Sequence, residues 1–148
     1  DKYDKEILSV LLENGKSNFP NFQKDQSQRI FLPAKVKNLE ESGVIESYQA
    51  VVNPKLVGMG FQALVFITLS QAAGEKITEF EKALEKSFPC IIEAHRIFGE
   101  QDYVLLVATP DLTAYQEAYD TQLSSLPNIK KVETTLLMKE IIPHRIIL

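Results

Sequence analysis

Apolar residues recur at helical spacing in two stretches of the N-terminal third of the chain. The first stretch places them at i, i+4, i+7 and i+8, which is one face of a helix, at Tyr3, Ile7, Val10 and Leu11. Asn14-Gly15 follows and is typical of a left-handed helix end. The second stretch forms another helical face, at Leu32, Val36 and Leu39. It ends at Ser42-Gly43, so the pattern predicts two helices before residue 44.

The pattern then changes to strands alternating with helices. Val44–Val52 is strand-like, and Phe61–Leu69 is typical of a buried strand. Ile91–Pro110 has the β-branched and aromatic content of two strands, joined at the polar turn Gly99–Asp102. Ile129–Ile142 is the expected last strand.

Two helical faces separate these strands. The first is formed by Ile77, Phe80, Leu84 and Phe88. The second follows Asp111, a suitable N-cap, and is formed by Leu112, Tyr115, Tyr119 and Leu123. The order β-α-β-β-α-β predicts a ferredoxin-like fold of the α+β class. With the turn at Asn53-Pro54 as the junction, we expect domains at 1–52 and 53–148.

Both faces of this sheet carry apolar side chains, as the neighbouring pairs Leu64-Val65 and Leu105-Leu106 show. Two helices cover only one face of a four-stranded sheet. A second copy of the chain is the simplest cover for the other face, so the sequence predicts at least a dimer.

Charge and composition limit the partners of the chain. The net charge is −4 over 148 residues, and the first 50 residues carry seven Lys and Arg against eight Asp and Glu. Any phosphate-binding face must therefore be local. No apolar run is long enough to span a bilayer and no signal-peptide pattern is present, so we expect a cytoplasmic protein without a membrane partner.

The turn Gly99–Asp102 is the candidate place for a small molecule. Gly99 allows close approach or a positive φ. Glu100 and Asp102 can accept hydrogen bonds from an α-ammonium group, while backbone N–H groups hold a carboxylate. The candidate site comprises Gly99, Glu100, Gln101, Asp102 and Tyr103, with Thr134, Thr135, Leu136 and Met138 on the opposing element. The alternative is a polar hairpin turn without a ligand, which periodicity alone favours.

Catalytic and metal-binding classes find no support in the sequence. Two distant histidines and the single Cys90 build neither a nucleophile–base pair nor a metal site, and no glycine-rich phosphate loop is present. His95 lies between Glu93 and Arg96, and we interpret it as a hydrogen-bonded strand residue rather than an effector contact. We expect no catalytic residue, no metal and no cofactor.

Several segments, taken in order and at their spacing, resemble the Lrp/AsnC family of transcription regulators over nearly the whole chain. They are Asp-Lys-Tyr-Asp-Lys-Glu-Ile-Leu at 1–8, Leu-Glu-Glu-Ser-Gly-Val-Ile at 39–45, Asn-Pro-Lys-Leu-Val-Gly-Met-Gly at 53–60, Gly-Glu-Gln-Asp-Tyr at 99–103, Leu-Pro-Asn-Ile at 126–129 and Thr-Thr-Leu-Leu-Met-Lys-Glu at 134–140. The resemblance implies an N-terminal helix-turn-helix, a connecting strand and a C-terminal effector-binding domain. It also implies dimers or octamers with amino acids bound between dimers.

The same resemblance implies binding to double-stranded DNA. The recognition helix would span Gln28–Glu41 and lie in the major groove. The residues it would bring near bases or phosphates are Gln28, Arg29, Lys35, Lys37 and Asn38.

Residues 16–34 depart from the family pattern. Pro33 falls inside the expected recognition helix, where proline costs about 3 kcal/mol. Apolar Ile30 and Phe31 occupy positions expected to be polar. With a free choice of synonymous codons, this segment read one base later resembles the family's helix-turn-helix. Compensating frameshifts are therefore one hypothesis, which sequencing of the gene or a tryptic mass map would test.

Three functional interpretations follow. The first is a transcription regulator whose affinity for DNA changes when an amino acid binds between subunits. The second is an effector-binding or assembly protein of the same family with impaired DNA binding, because of residues 16–34. The third is a small enzyme on a dimeric ferredoxin-like fold, which rests on fold analogy alone. Effector identity, operator sequence, dimer versus octamer, and activation versus repression remain open.

Overall fold

A computed structural model describes residues 2–16, 26–87 and 89–148, and their side chains except those of 26–31 and 87. Within it the chain forms two compact units, one of Asp1–Val51 with Ile142–Leu148 and one of Val52–Ile141. The predicted second domain, 53–148, differs from the second unit at its C-terminal end. The last strand ends at Leu136, and the predicted domain bounds stay a prediction.

Two helices form the described part of the first unit, α1 (Lys2–Glu13) and α2 (Gln26–Glu41). Their core consists of the buried side chains Ile7, Leu32 and Leu39, with Leu8, Leu11, Val36 and Ile45 packed against them. Both predicted helical faces are therefore confirmed, except that Tyr3 is 47% exposed. The middle of the expected helix-turn-helix lies outside the described residues, so that motif stays a prediction.

Pro33 lies inside α2, and the helix continues through it. Proline has no N–H group, so one hydrogen bond of the helical ladder is missing at this position. Leu32 and Leu39, buried on the same helix, pack against α1 and offset part of that loss.

The strand predicted at Val44–Val52 is wrong for the single chain. Residues 46–53 have no regular secondary structure, and Val51 is fully exposed. A strand needs a hydrogen-bonding neighbour, and no strand of the described residues pairs with this segment. The turn that follows is a short 3-10 helix, Pro54–Val57, whose first turn is capped by the Asn53 side chain.

The second unit has the predicted β-α-β-β-α-β order. Its elements are β1 (Phe61–Leu69), α3 (Glu75–Ser87), β2 (Ile91–Arg96), β3 (Tyr103–Thr109), α4 (Leu112–Thr121) and β4 (Ile129–Leu136). The four strands form one antiparallel sheet in the order β2-β3-β1-β4. The α+β class is thereby confirmed, and the turn between β2 and β3 lies at one end of the sheet.

One face of the sheet carries both helices and the core. Its fully buried members include Ile67 of β1, Leu105 of β3 and Phe80 of α3. Tyr115 of α4 packs into the same cluster, 5.6 Å from the Phe61 ring. Asp111 caps α4 as predicted, since its Oδ1 accepts a hydrogen bond from the Ala114 N–H at 2.7 Å.

Three details of the sequence interpretation need correction or lie outside the structure. Leu112 was expected to face inward but is 50% exposed, because it is the first residue of α4 and precedes the buried turn. The last strand ends at Leu136 rather than Ile142, since β1 provides backbone partners only as far as Gln62. Phe88, the expected end of the α3 face, is outside the described residues.

No helix among the described residues of the second unit covers the other face of the sheet. Side chains alternate along a strand, so the residues next to the buried ones point to this face. Its centre is apolar and its members are partly buried, among them Leu64, Phe66, Val104 and Leu106. This apolar surface is named the open face below.

Candidate functional site

The turn between β2 and β3 is closed by backbone hydrogen bonds. The Ile97 N–H donates to the Asp102 carbonyl oxygen, and the Asp102 N–H donates to the Ile67 carbonyl oxygen, both at 2.9 Å. The Asp102 carboxylate accepts a third bond, from the Leu69 N–H at 2.7 Å. Asp102 therefore fixes the turn to the end of β1. Residues 97–102 are named the effector turn below.

Tyr103 begins β3 and is a buried anchor of this turn. It is 3% exposed, and its ring lies 4.8 Å from the Phe80 ring. Its hydroxyl donates to Glu81 Oε1 of α3 at 2.7 Å. Burial and the neighbouring Glu81 carboxylate raise the pKa of Tyr103 to about 12, so the phenol is a protonated donor at neutral pH.

Gly99 and Glu100 form the exposed tip of the effector turn. Gly99 does not take the positive φ that was one of its two predicted roles, since positive φ among the described glycines occurs at Gly43, Gly58 and Gly74. The other role, close approach of a ligand to its backbone, stays a prediction. A Cβ atom built at Gly99 meets nothing within 4 Å. Within the described residues, the N–H groups of Gly99 and Glu100 make no backbone hydrogen bond in the turn, and both residues are exposed.

Gln101 connects the effector turn to β4. Its Nε2 lies 3.4 Å from Glu133 Oε2, and Lys131 Nζ lies 2.7 Å from Glu133 Oε1. The hydrogen bond and charge of Lys131, with the Gln101 amide, hold the pKa of Glu133 below its usual value. The Glu133 carboxylate in turn raises the pKa of Lys131. An anion and a cation therefore lie beside the turn on the open face.

The four residues expected opposite the turn, on β4 and just beyond it, point in different directions. Thr134 points to the helices, where its hydroxyl lies 2.5 Å from the Tyr115 hydroxyl. Thr135 is its neighbour in the strand and so points to the open face. Leu136 is 55% exposed at the end of β4, and Met138 beyond it is 97% exposed. One chain does not bring these four side chains together around the effector turn.

Three residues at the turn were missed by sequence reasoning. Phe98 is fully exposed in the effector turn, although an apolar residue in a polar turn is a visible signal. Glu81 and Glu133 contact the turn from positions far along the chain. Only the strand register shows that Glu133 lies near the turn, and nothing in the spacing of Glu81 could have indicated its role.

The predicted DNA contacts lie on α2, but they differ in exposure. Lys37 and Asn38 are exposed, and Lys37 pairs with Glu41 at 3.6 Å. Lys35 is half-buried against α1, with Nζ 3.7 Å from Asp4 Oδ1 and 5.7 Å from the Tyr3 ring centre. Gln28 and Arg29 lie in the same helix, but their side chains are outside the described set.

His95 and Glu93 project from β2 on the open face and lie 3.3 Å apart. This agrees with a hydrogen-bonded strand histidine. Among the described residues, no group of three or more His, Cys, Asp or Glu side chains could hold a metal ion. In the same part of the chain, no helix is both long and apolar enough to cross a membrane.

Comparison with known proteins gives the family. The model for the Lrp/AsnC ligand binding domain matches residues 62–147, which include the whole effector turn. The leucine-responsive regulatory protein of Klebsiella pneumoniae is 31% identical over 147 residues, covering 95% of this chain and 86% of that protein. The chain belongs to the Lrp/AsnC family. Its curated relatives are transcriptional regulators, which are not enzymes.

Solved Lrp/AsnC structures share the fold over nearly the full length. A transcriptional regulator from Neisseria meningitidis in complex with L-Met has a TM-score of 0.81 at 28% identity, covering 98% of this chain and 93% of that one. An AsnC family transcriptional regulator from Agrobacterium tumefaciens has a TM-score of 0.84 at 25% identity, covering 100% and 95%. This Lrp/AsnC chain is therefore a transcriptional regulator with the ligand-binding domain of its family.

Proposed function

We propose that the chain is a DNA-binding transcription regulator whose effector, an amino acid, binds at the effector turn between subunits. The observation that carries the proposal is the construction of the turn. Asp102 and Tyr103 anchor it through hydrogen bonds to β1 and α3, while the exposed residues Gly99 and Glu100 have N–H groups that make no backbone hydrogen bond in the turn. A similar regulator from Neisseria meningitidis is complexed with L-Met, so L-methionine is the first effector to test.

The exposed groups of the turn suit both ends of an amino acid. Free N–H groups at Gly99 and Glu100 can donate to an α-carboxylate. The Glu100 carboxylate is exposed at the same tip and can accept from an α-ammonium group. Asp102 Oδ2 accepts the Leu69 N–H, and the second carboxylate oxygen is proposed to accept from the α-ammonium group.

Subunit association supplies the rest of the site. Thr134 and Thr135 point to opposite faces of β4, so one subunit does not present both to a ligand. The open face offers an apolar surface for a second copy, with Leu64 and Leu106 paired at its centre. A dimer through this face, and an effector bound between such dimers, fit the exposure of the turn. Dimer versus octamer is decided by the sedimentation measurement described in the Discussion.

The first unit provides the DNA-binding part of the proposal. Helices α1 and α2 share a small core, and α2 presents Lys37 and Asn38 on its exposed side. These two residues, with Gln28 and Arg29, are the proposed contacts to bases or phosphates. Lys35 is also a proposed phosphate contact, but a weaker one than Lys37, because its charge is partly balanced by Asp4.

The test is a gel-shift titration with the promoter region of the chain's own gene, with and without L-methionine and the other amino acids. We expect retardation at low salt, and a change in apparent affinity with one or a few amino acids. Retardation that no amino acid alters would contradict the sensing part of the proposal.

Substitution of Gly99 by Ala is expected to weaken effector binding without damaging the fold. The added methyl group meets open space within the chain, so stability stays the same or rises by about 0.4–1 kcal/mol. The methyl group instead crowds the ligand side of the turn, and affinity for the effector falls about tenfold. Calorimetric titration measures the affinity, with Gly60→Ala as control, because a Cβ there meets only the Lys55 side chain at 3.7 Å and ordinary backbone contact. Equal affinity in Gly99→Ala and wild type would argue against binding at the turn.

Substitution of Lys37 by Ala is expected to weaken DNA binding uniformly across sequences. Loss of one phosphate contact lowers the slope of log K against log salt by about 1. Gel-shift titrations at several salt concentrations measure this slope. Lys82→Ala, which removes an exposed lysine from α3 of the other unit, is the matched control. An unchanged slope in Lys37→Ala would remove this residue from the interface.

The second candidate function is an effector-binding or assembly protein with impaired DNA binding. Pro33 inside α2 favours it, as does the Lys37–Glu41 pair that partly neutralises the exposed side of this helix. The same gel-shift experiment discriminates, since no retardation at low salt would support this second function.

A further inference from the structure

One carboxylate contacts the residues on both sides of the effector turn. Glu81 lies on α3, and its Oε1 accepts a hydrogen bond from the Tyr103 hydroxyl at 2.7 Å. The same oxygen lies 3.4 Å from Arg96 NH1. Arg96 is the last residue of β2 and Tyr103 is the first residue of β3. The effector turn is therefore held at both ends by a residue outside it.

The two contacts differ in strength. The side chains of Arg96 and Glu81 are 60% and 43% exposed, so solvent screens their ion pair. Tyr103 is nearly buried, and its hydrogen bond to Glu81 joins a neutral donor to a charged acceptor. Removal of the carboxylate would take away the charged acceptor of the Tyr103 hydroxyl, which then keeps only its contact with the Arg96 side chain. The Tyr103 contact is therefore the stronger of the two.

The same helix also fixes the Tyr103 ring. Phe80 precedes Glu81 in α3, is fully buried, and has its ring centre 4.8 Å from that of Tyr103. Consecutive residues of α3 thus hold the ring and the hydroxyl of Tyr103. This restricts the start of β3, and the residue before it, Asp102, accepts the bond from the Ile97 N–H that closes the turn.

We propose that Glu81 is a positioning residue for the effector, which fixes both ends of the effector turn and thereby sets its affinity without touching the ligand. The inference rests on the proposed function, because it concerns the same turn. A turn that is already ordered loses less conformational entropy when the ligand binds. If one end of the turn is released, ligand binding must order the turn and loses more conformational entropy. The affinity for the ligand therefore falls although no ligand contact is removed.

The experiment compares three full-length variants with wild type. Glu81→Ala removes both contacts, whereas Glu81→Gln keeps an oxygen acceptor for the Tyr103 hydroxyl. Glu79→Ala is the matched control, since Glu79 lies on the same helix, is exposed and pairs only with Lys76 at 3.4 Å. Two quantities are measured, the hydrogen-exchange rates of the Ile97 and Asp102 amides without effector and the dissociation constant for L-methionine.

We expect Glu81→Ala to exchange faster at these amides and to bind L-methionine more weakly, each by about tenfold or more, the effect of one hydrogen bond to a charged group. Glu81→Gln should recover most of both losses, and Glu79→Ala should match wild type. Wild-type exchange and affinity in Glu81→Ala, or equal losses in Glu79→Ala, would overturn the proposal.

A double-mutant cycle shows whether Glu81 acts through Tyr103. Glu81→Ala in a Tyr103→Phe background should add little to the loss already caused by Tyr103→Phe. Fully additive losses would overturn this route. If wild type binds none of the twenty amino acids, the effector part of the proposed function fails, and the exchange rates of Ile97 and Asp102 alone decide whether Glu81 positions the turn.

Discussion

Replacement of Leu64 by Glu is expected to convert the assembly into single subunits of 16.7 kDa. Leu64 lies at the centre of the open face, paired with Leu106 of β3 and Thr135 of β4. Burial of its apolar side chain against a second copy is favourable, whereas burial of an unpaired carboxylate costs several kcal/mol. The dissociation constant of the dimer should therefore rise at least about a hundredfold, since each 1.4 kcal/mol is a factor of ten. Sedimentation equilibrium measures the mass.

Gln116→Glu is the matched control for this substitution. It adds the same charge at an exposed position of α4, on the side of the sheet that the helices already cover. This variant should keep the wild-type mass. Circular dichroism of Leu64→Glu should keep the signal of the sheet and helices. A dimer of undiminished strength in Leu64→Glu would show that the open face is not the interface.

Replacement of Phe80 by Ala is expected to destabilise the second unit by about 3–5 kcal/mol, the range for loss of a buried phenylalanine. Phe80 is fully buried, and its ring packs against Tyr103 at the base of the effector turn. Native domains are stable by about 5–15 kcal/mol, so this is a large fraction of the total. Urea denaturation followed by circular dichroism measures the change in the free energy of unfolding.

Phe98→Ala makes the same chemical change at a fully exposed site of the effector turn. Its cost should stay within about 0.5 kcal/mol, because the side chain makes no buried contact within the chain. If both substitutions had the same small effect, Phe80 would not be a core residue. A large loss in Phe98→Ala alone would instead place Phe98 in a subunit contact.

The sequence predicts most of the second unit because its apolar pattern is regular. Phe61–Leu69 is a strand with the same bounds in the structure, and its alternate residues are buried as a half-covered sheet requires. The polar residues between Ile91 and Pro110 correctly indicate a turn between two antiparallel strands. Strong local patterns of this kind determine the element without knowledge of its neighbours.

The remaining details depend on contacts between distant residues. Val44–Val52 has strand-like composition, but no strand in the described part of the chain pairs with it, and composition does not show whether a partner exists. The role of Asp102 is set by the Leu69 N–H, 33 residues away, rather than by its own turn. Gly99 does not have a positive φ, so its backbone conformation does not require glycine. A Cβ atom there would meet open space, so the reason for glycine lies in what approaches the turn from outside the chain.

In the candidate site too, local pattern predicts some residues, and contacts between distant residues determine the others. Its exposed tip, Gly99 and Glu100, is visible in the sequence as a polar turn. The supports beneath it, Glu81 and Glu133, come from α3 and β4 and are found only once the strands are paired. The proposed contacts from a second subunit are harder still to predict, because the sequence of one chain does not show which surfaces meet in the assembly.

Sedimentation velocity of the wild-type chain, without an effector and then with each of the twenty amino acids, tests most directly whether an amino acid between subunits controls the assembly. We expect a mass of at least twice the 16.7 kDa of one chain, and a shift in the distribution of oligomers with L-methionine or another single amino acid. A single 16.7 kDa species that no amino acid changes would contradict both the sheet-to-sheet dimer and the effector site between such dimers.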